Sequence, residues 1–187
     1  MEENIVVSGE IGAVATVNGQ KLTNLASFNF LGLLNDKDIK EKAISIQKEY
    51  GVGTCGPPGF YGTLDIHLQL ESLLAKFLGA ESAIIYSQAF SAVSSVVPAF
   101  LKKGDIIVYD DGINFALRKG IEISRSIAVP FKHNNMEDLE RVLNQIVEKN
   151  KKEKLVRRFI IVEGLYQNFG DICPLPEIVN LNNCRYL

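Results

Sequence analysis

Tryptophan is absent, and cysteine appears only three times in 187 residues, as Cys55, Cys173 and Cys184. So sparse and odd a set excludes a disulfide scaffold and suits a reducing compartment. Histidine is scarcer still: His67 and His133 lie far apart, and no CxxC, HExxH or clustered Cys/His spacing argues for a structural zinc site. An excess of one charge is also missing, since 20 Lys and Arg face 22 Asp and Glu for a net −2. Without a basic surplus to neutralise a phosphate backbone, a general nucleic-acid binder is excluded. The acidic start MEENIVVSGEIG has no apolar stretch and is not read as a signal peptide. One charge-free run, residues 82–101, is nominally long enough to span a bilayer. Its five serines, Gln88 and Pro98 fit a strand followed by a buried helix better. What is present in ordinary amounts, 47% hydrophobic and 22% charged residues, is the composition of a globular domain with a sizeable core.

Along the chain, VATVNGQKLTNLASF (14–28) alternates, and Asn18-Gly19 signals a type I′ hairpin. Ile39, Ala43, Ile46 and Tyr50 are spaced for a helix that Asn35 or Asp36 caps and Gly51 ends. Residues 51–62, GVGTCGPPGFYG, hold five glycines and two prolines and read as a loop. A second helix is expected to be capped by Thr63 or Asp65, with Ile66, Leu70, Leu73, Leu74 and Phe77 as its core stripe. Thereafter strands are expected at 83–86, 105–111, 126–131 and 157–166, alternating with helices. The helix at 136–150 carries Met136, Leu139, Val142, Leu143 and Ile146 inward, and a further helix begins near Pro174. This alternation predicts βαβ units and a mainly parallel sheet covered on both faces. The sheet reads as incomplete where the sequence stops, and the basic run KNKKEKLVRR (149–158) reads as a solvated helix end and loop.

The glycine loop is neither a GxGxxG fingerprint after a strand nor a P-loop, so a dinucleotide or nucleotide-phosphate cradle is not indicated. A tight surface turn and a loop that approaches a ligand or another subunit stay equally open on glycine content alone. Asp110 and Asp111 can cap the following helix, His133 sits in a polar turn, and Cys55 has no base nearby in sequence. Cys55 reads instead as a small residue packed in the loop.

YGVGTCGPPGFYGTLDIHLQLE (50–71) resembles the YGxGxxGSRxxxGxxxxHxxLE motif of the α-oxoamine synthases, pyridoxal-phosphate (PLP) enzymes that condense an amino acid with an acyl-CoA. Tyr50, Gly51, Gly53, Gly56, Gly62, His67, Leu70 and Glu71 match, whereas Pro57 and Pro58 replace the motif's serine and arginine. NFLG (29–32), IIYSQAF (84–90), FKHNN (131–135) and EGLYQNFGDICPL (163–175) resemble further family segments. The resemblance implies an α/β PLP-dependent transferase of fold type I, three-layered and mainly parallel. It implies one domain over 1–187: an N-terminal arm and first helix (1–50), the glycine loop (51–62) and βα units (63–187).

By family position, Ser87, Gln88, Ala89 and Phe90 would face the cofactor phosphate. Asn114 stands where active synthases stack a histidine on the PLP ring, a contact an amide cannot reproduce. Phe169 replaces a polar residue of the SMDGD-like segment. The family's Schiff-base lysine has no counterpart among the fourteen lysines present. The resemblance therefore implies a non-catalytic subunit whose partner holds PLP, with Gly53, Thr54, Cys55, Gly56, Tyr61 and His67 offered to the partner's active site. His67 reads as a packing or interface histidine ahead of a catalytic one. A catalytic homodimer of the glycine acetyltransferase or aminolevulinate synthase type, and a truncated non-enzymatic form, remain the other readings.

Overall fold

The computed structural model describes residues 4–149 and 156–185. The chain divides into two compact units, Met1–Glu81 and Ser82–Leu187.

In the first unit, three short antiparallel strands lie side by side: β1 (Val7–Ser8), β2 (Val14–Val17) and β3 (Gln20–Thr23). Val17 pairs with Gln20 across the tight turn, where Asn18 (φ 47°) and Gly19 (φ 80°) both adopt the left-handed backbone a type I′ turn requires. The Asn18 Oδ1 also accepts a hydrogen bond from the Val6 amide at 2.8 Å, fastening β1 alongside. Helix α1 (Lys37–Tyr50) starts at Asp36, whose carboxylate accepts from the Ile39 amide at 2.9 Å, and stops at Gly51. Helix α2 (Asp65–Leu78) ends at Gly79 in the left-handed conformation. Its expected core stripe is not a core: Leu70, Leu73 and Phe77 are exposed, and Ala75 is the helix's one buried residue. The periodicity was right for a helix, but it marks a face that no described residue of this unit buries.

The second unit builds its core around a parallel sheet. Its elements are α3 (Ala89–Phe100), β4 (Ile106–Asp110), α4 (Phe115–Ser124), β5 (Ile127–Phe131), α5 (Met136–Lys149), β6 (Arg158–Ile161) and α6 (Leu175–Arg185). Strand order is β5-β4-β6, with Val108 paired to Val129 on one side and to Ile160 on the other. β4 is central and reads as an unbroken apolar run because both of its faces are covered. Leu139, Val142, Leu143 and Ile146 of α5 are buried as their spacing predicted, against Ile106, Val108 and Ile161. Helix α3 contains Pro98, which has no N–H to give the carbonyl of Ser94. Gly120 of α4 packs at that carbonyl: a Cβ there would lie 2.8 Å from the Ser94 oxygen. The proline and the glycine together let α3 and α4 approach closely.

Two expectations need correction. Residues 83–86 are not a strand of either sheet, although their side chains alternate in exposure as a strand's would. A strand exists only with a neighbour, and no described strand lies beside this segment. The strand expected over 157–166 ends at Ile161, where the backbone leaves the sheet for a turn. Residues 82–101 form an extended segment followed by α3, and no described helix is long and apolar enough to cross a membrane.

Candidate functional site

The glycine loop is irregular and held by its own contacts. The Phe60 and Gly62 amides both donate to the Pro57 carbonyl at 3.0 Å, the Tyr61 hydroxyl donates to the Cys55 carbonyl at 2.8 Å, and Thr63 Oγ1 donates to the Pro58 carbonyl at 2.7 Å. Thr54 Oγ1 bonds the Gly56 carbonyl at 3.1 Å, and the Tyr50 hydroxyl reaches Asp65 at 3.2 Å across the loop's ends. That bond to a carboxylate is the first reason the Tyr50 hydroxyl is held above its ordinary pKa.

Two glycines are needed for this interlock. A Cβ on Gly62 would meet the Gly56 oxygen at 2.0 Å, and one on Gly56 would meet the Tyr61 ring at 2.2 Å. Gly53 and Gly59, by contrast, have open space around them and no left-handed backbone, so the loop itself does not require them. Cys55 is not packed: it is exposed, at φ 53°. Neither Thr63 nor Asp65 caps α2. Leu64 occupies the cap position, and His67, half-buried, supplies the missing acceptor by taking the Leu64 amide on Nδ1 at 3.2 Å. His67 is thus a helix-capping side chain in this chain.

In the second unit, Ser87, Gln88, Ala89 and Phe90 sit at the start of α3, all exposed. Gln88 offers no side-chain cap, which leaves the first-turn amides open to an external anion. The Phe90 and Phe115 rings lie 6.1 Å apart, bringing the start of α3 beside the start of α4, where Asn114 stands. Asn114 is the cap of α4: its Oδ1 accepts from the Leu117 amide at 3.0 Å, and its own amide donates to Glu163. The cap role expected of Asp110 or Asp111 therefore belongs to Asn114. Asp111 instead pairs with Arg118 at 3.1 Å.

Asp110 does something the sequence did not suggest. Its carboxylate, fully buried at the end of β4, accepts from the Gly112 amide (2.6 Å), the Asn134 amide (2.8 Å) and His133 Nδ1 (2.7 Å). The other ring nitrogen of His133 meets Asp171 at 3.0 Å, and Asn134 Nδ2 meets the same carboxylate at 3.0 Å. The imidazole stacks on Phe169 (4.1 Å, 25°) and meets Tyr166 edge-on at 4.5 Å. Burial alone would raise the Asp110 carboxyl, but the bonds from Asn134, His133 and Gly112 outweigh it and hold the group below its ordinary value. Burial would likewise lower His133, yet its bonds to Asp110 and Asp171 and their charges carry it above its ordinary value. Tyr166 is fully buried, and its hydroxyl lacks hydrogen-bond geometry to any described partner. Burial first, then the nearby Asp110 charge, pushes that phenol far up. No group of three or more His, Cys, Asp and Glu among the described residues is placed to hold a metal ion.

Comparison with known proteins places the chain. The model of aminotransferases of class I and II matches residues 20–185. Long chain base biosynthesis protein 1b of Oryza sativa subsp. japonica is 48% identical over 170 residues, covering 91% of this chain and 35% of that protein. Serine palmitoyltransferase 1 of Dictyostelium discoideum is 44% identical over 178 residues, covering 95% and 37%. The chain thus spans about a third of the length of these relatives. Among solved structures, Sphingomonas wittichii serine palmitoyltransferase superposes with a TM-score of 0.87 at 29% identity, over 96% of this chain and 44% of that one. A serine palmitoyltransferase of S. paucimobilis with a bound PLP–myriocin aldimine gives 0.87 at 26% identity, with the same coverage.

PLP, the cofactor bound in that neighbour, would need a seat for its phosphate and a cover for its ring. The uncapped start of α3 suits a phosphate. Asn114, held on the Leu117 amide, would offer such a ring no aromatic face.

Proposed function

The chain belongs to the aminotransferase class I and II family, and on that footing we propose that it is part of subunit 1 of serine palmitoyltransferase. The complex condenses L-serine with palmitoyl-CoA to 3-ketosphinganine at the start of sphingolipid synthesis. The names of its relatives support this reading. Subunit 2 is the proposed partner in a heterodimer on the cytosolic face of the endoplasmic reticulum membrane. PLP, which supplies the electron sink for such condensations, is assigned to the partner's lysine and not to this chain.

The observation that carries the division of labour is Asn114. Its side chain is an amide held on the Leu117 N–H, without the aromatic face that stacks on a pyridine ring. Ser87, Gln88, Ala89 and Phe90 keep an uncapped helix start for a phosphate at α3 without the rest of the site. The contribution in trans is the glycine loop: Gly53, Thr54, Cys55, Gly56 and Tyr61, with His67 fixing the start of α2. Gly53 and Gly59, which the loop does not need for its own folding, leave backbone that a partner can approach.

Borohydride reduction in the presence of PLP and subunit 2 tests the assignment. The label should fix on the partner alone; a reduced PLP adduct on any lysine of this chain would overturn it. Cys55→Trp tests the loop. With its side chain exposed, the variant chain should fold and assemble as before, while serine condensation in the full-length heterodimer falls by about a hundredfold. Cys55→Ser should be near wild type. Equal turnover by both variants would show that the loop does not face the partner's site.

A further inference from the structure

The loop after β6 folds back as a small hairpin. Leu165 pairs with Ile172, the Tyr166 amide donates to the Asp171 carbonyl at 3.0 Å, and the Gly170 amide donates to the Tyr166 carbonyl at 2.8 Å. Tyr166 anchors the start of the hairpin in the core, whereas Leu165, Phe169 and Ile172 are exposed, so apolar burial does not account for the position of its closing end. At that end the ring of His133, beside Asn134 Nδ2, ties the hairpin to the sheet. One nitrogen faces the buried Asp110 at the end of β4, and the other faces Asp171 near the hairpin's close.

A neutral imidazole has a single N–H. Between two carboxylates it can satisfy one and must present a lone pair to the other. Both contacts, at 2.7 and 3.0 Å, are hydrogen bonds only when both nitrogens carry protons. We infer that His133 is a charge-dependent clasp, whose imidazolium form holds the 165–172 hairpin on the sheet and whose neutral form releases it from Asp171.

The surrounding groups fit this division. Asp110 is fully enclosed and retains the Gly112 and Asn134 amides whatever His133 does, so it is the fixed jaw. Asp171 is half-exposed, with Asn134 Nδ2 as its other side-chain partner, so it is the jaw that can let go into water. From the hairpin and the residue after it, Tyr166 and Cys173 also face the cluster, and burial keeps both uncharged by raising their pKa values. On the histidine's own turn, Asp138 is taken up by the Lys132 amide and by Arg141. Phe169 lies flat on the ring, a position that favours a cation.

The sign follows from the raised value of His133. Stabilisation of the hairpin is fully present below the ordinary histidine pKa, near 6.5, and is lost as pH rises through the raised folded value.

Nuclear magnetic resonance on the 187-residue chain tests the clasp, with His67→Asn used to assign the two imidazole signals. At pH 6 both ring nitrogens of His133 should show protonated 15N shifts, and the ring should titrate above the ordinary value. Exchange of the Tyr166 and Gly170 amides, corrected for base catalysis, should rise about threefold or more across that titration, within the tenfold per unit that linkage sets. Asp171→Asn, at an exposed position, should lower the His133 titration and abolish the step in hairpin exchange. A neutral single tautomer at pH 6, or hairpin exchange indifferent to the titration of His133, would overturn the inference. So would an Asp171→Asn chain that keeps the same step.

Discussion

The two units differ in where they put the same kind of residue. In the second, sixteen apolar side chains form one buried cluster around β4, with Ile107 and Leu139 at 0% exposure. In the first, only Ala15 and Ala75 are buried apolar residues among those described, while Leu73 stands 65% and Phe77 85% exposed. Composition does not separate them; the presence of a covering layer does. A parallel sheet flanked by α3, α4, α5 and α6 hides its aliphatic residues within one unit. Two helices and a three-stranded ribbon leave theirs facing outward. The second unit is organised by burial, and the first by turns, caps and glycine contacts.

Perturbing each kind of support should sharpen that contrast. Leu139→Ala removes a fully enclosed side chain and should cost about 3 kcal/mol in urea unfolding of the second unit. Gly62→Ala drives a Cβ into the Gly56 carbonyl and should open the glycine loop at a cost of about 2 kcal/mol, read as faster limited proteolysis within 51–62. Asp36→Ala removes the cap of α1 and should cost about 1 kcal/mol, seen as reduced helicity by circular dichroism. Phe77→Ala should change the stability of the isolated chain by less than about 0.5 kcal/mol despite the size of the side chain. If Phe77→Ala cost as much as Leu139→Ala, the contrast between the units would be wrong.

What could be read from the sequence follows the same line. The Asn18-Gly19 turn, the Asp36 cap and the inward face of α5 are set by residues within a turn or two of each other, and all three stand as expected. The face of α2 was misread because periodicity reports that one side is apolar, not that anything lies against it. Residues 83–86 have the composition of a strand, but pairing is a property of two segments. The His133 cluster was hidden for another reason: Asp110 and Asp171 lie 23 and 38 residues away in sequence. A single acidic residue at the end of a strand looks like a cap until the chain is folded. Of the candidate site, Asn114 was noticed through the family resemblance, whereas its commitment to the start of α4 required coordinates. The motif also singled out His67, yet its bond to the Leu64 amide does not follow from the motif.

The outward face of α2 has a consequence during translation. Ribosomes release the N-terminal unit first, and at about 5–20 residues per second the later 106 residues of Ser82–Leu187 take on the order of 5–20 s to emerge. Throughout that interval Leu73 and Phe77 meet solvent, and completing the second unit's own core does not require them. Over that interval the exposed Leu73 and Phe77 side chains are within reach of a chaperone that binds apolar segments.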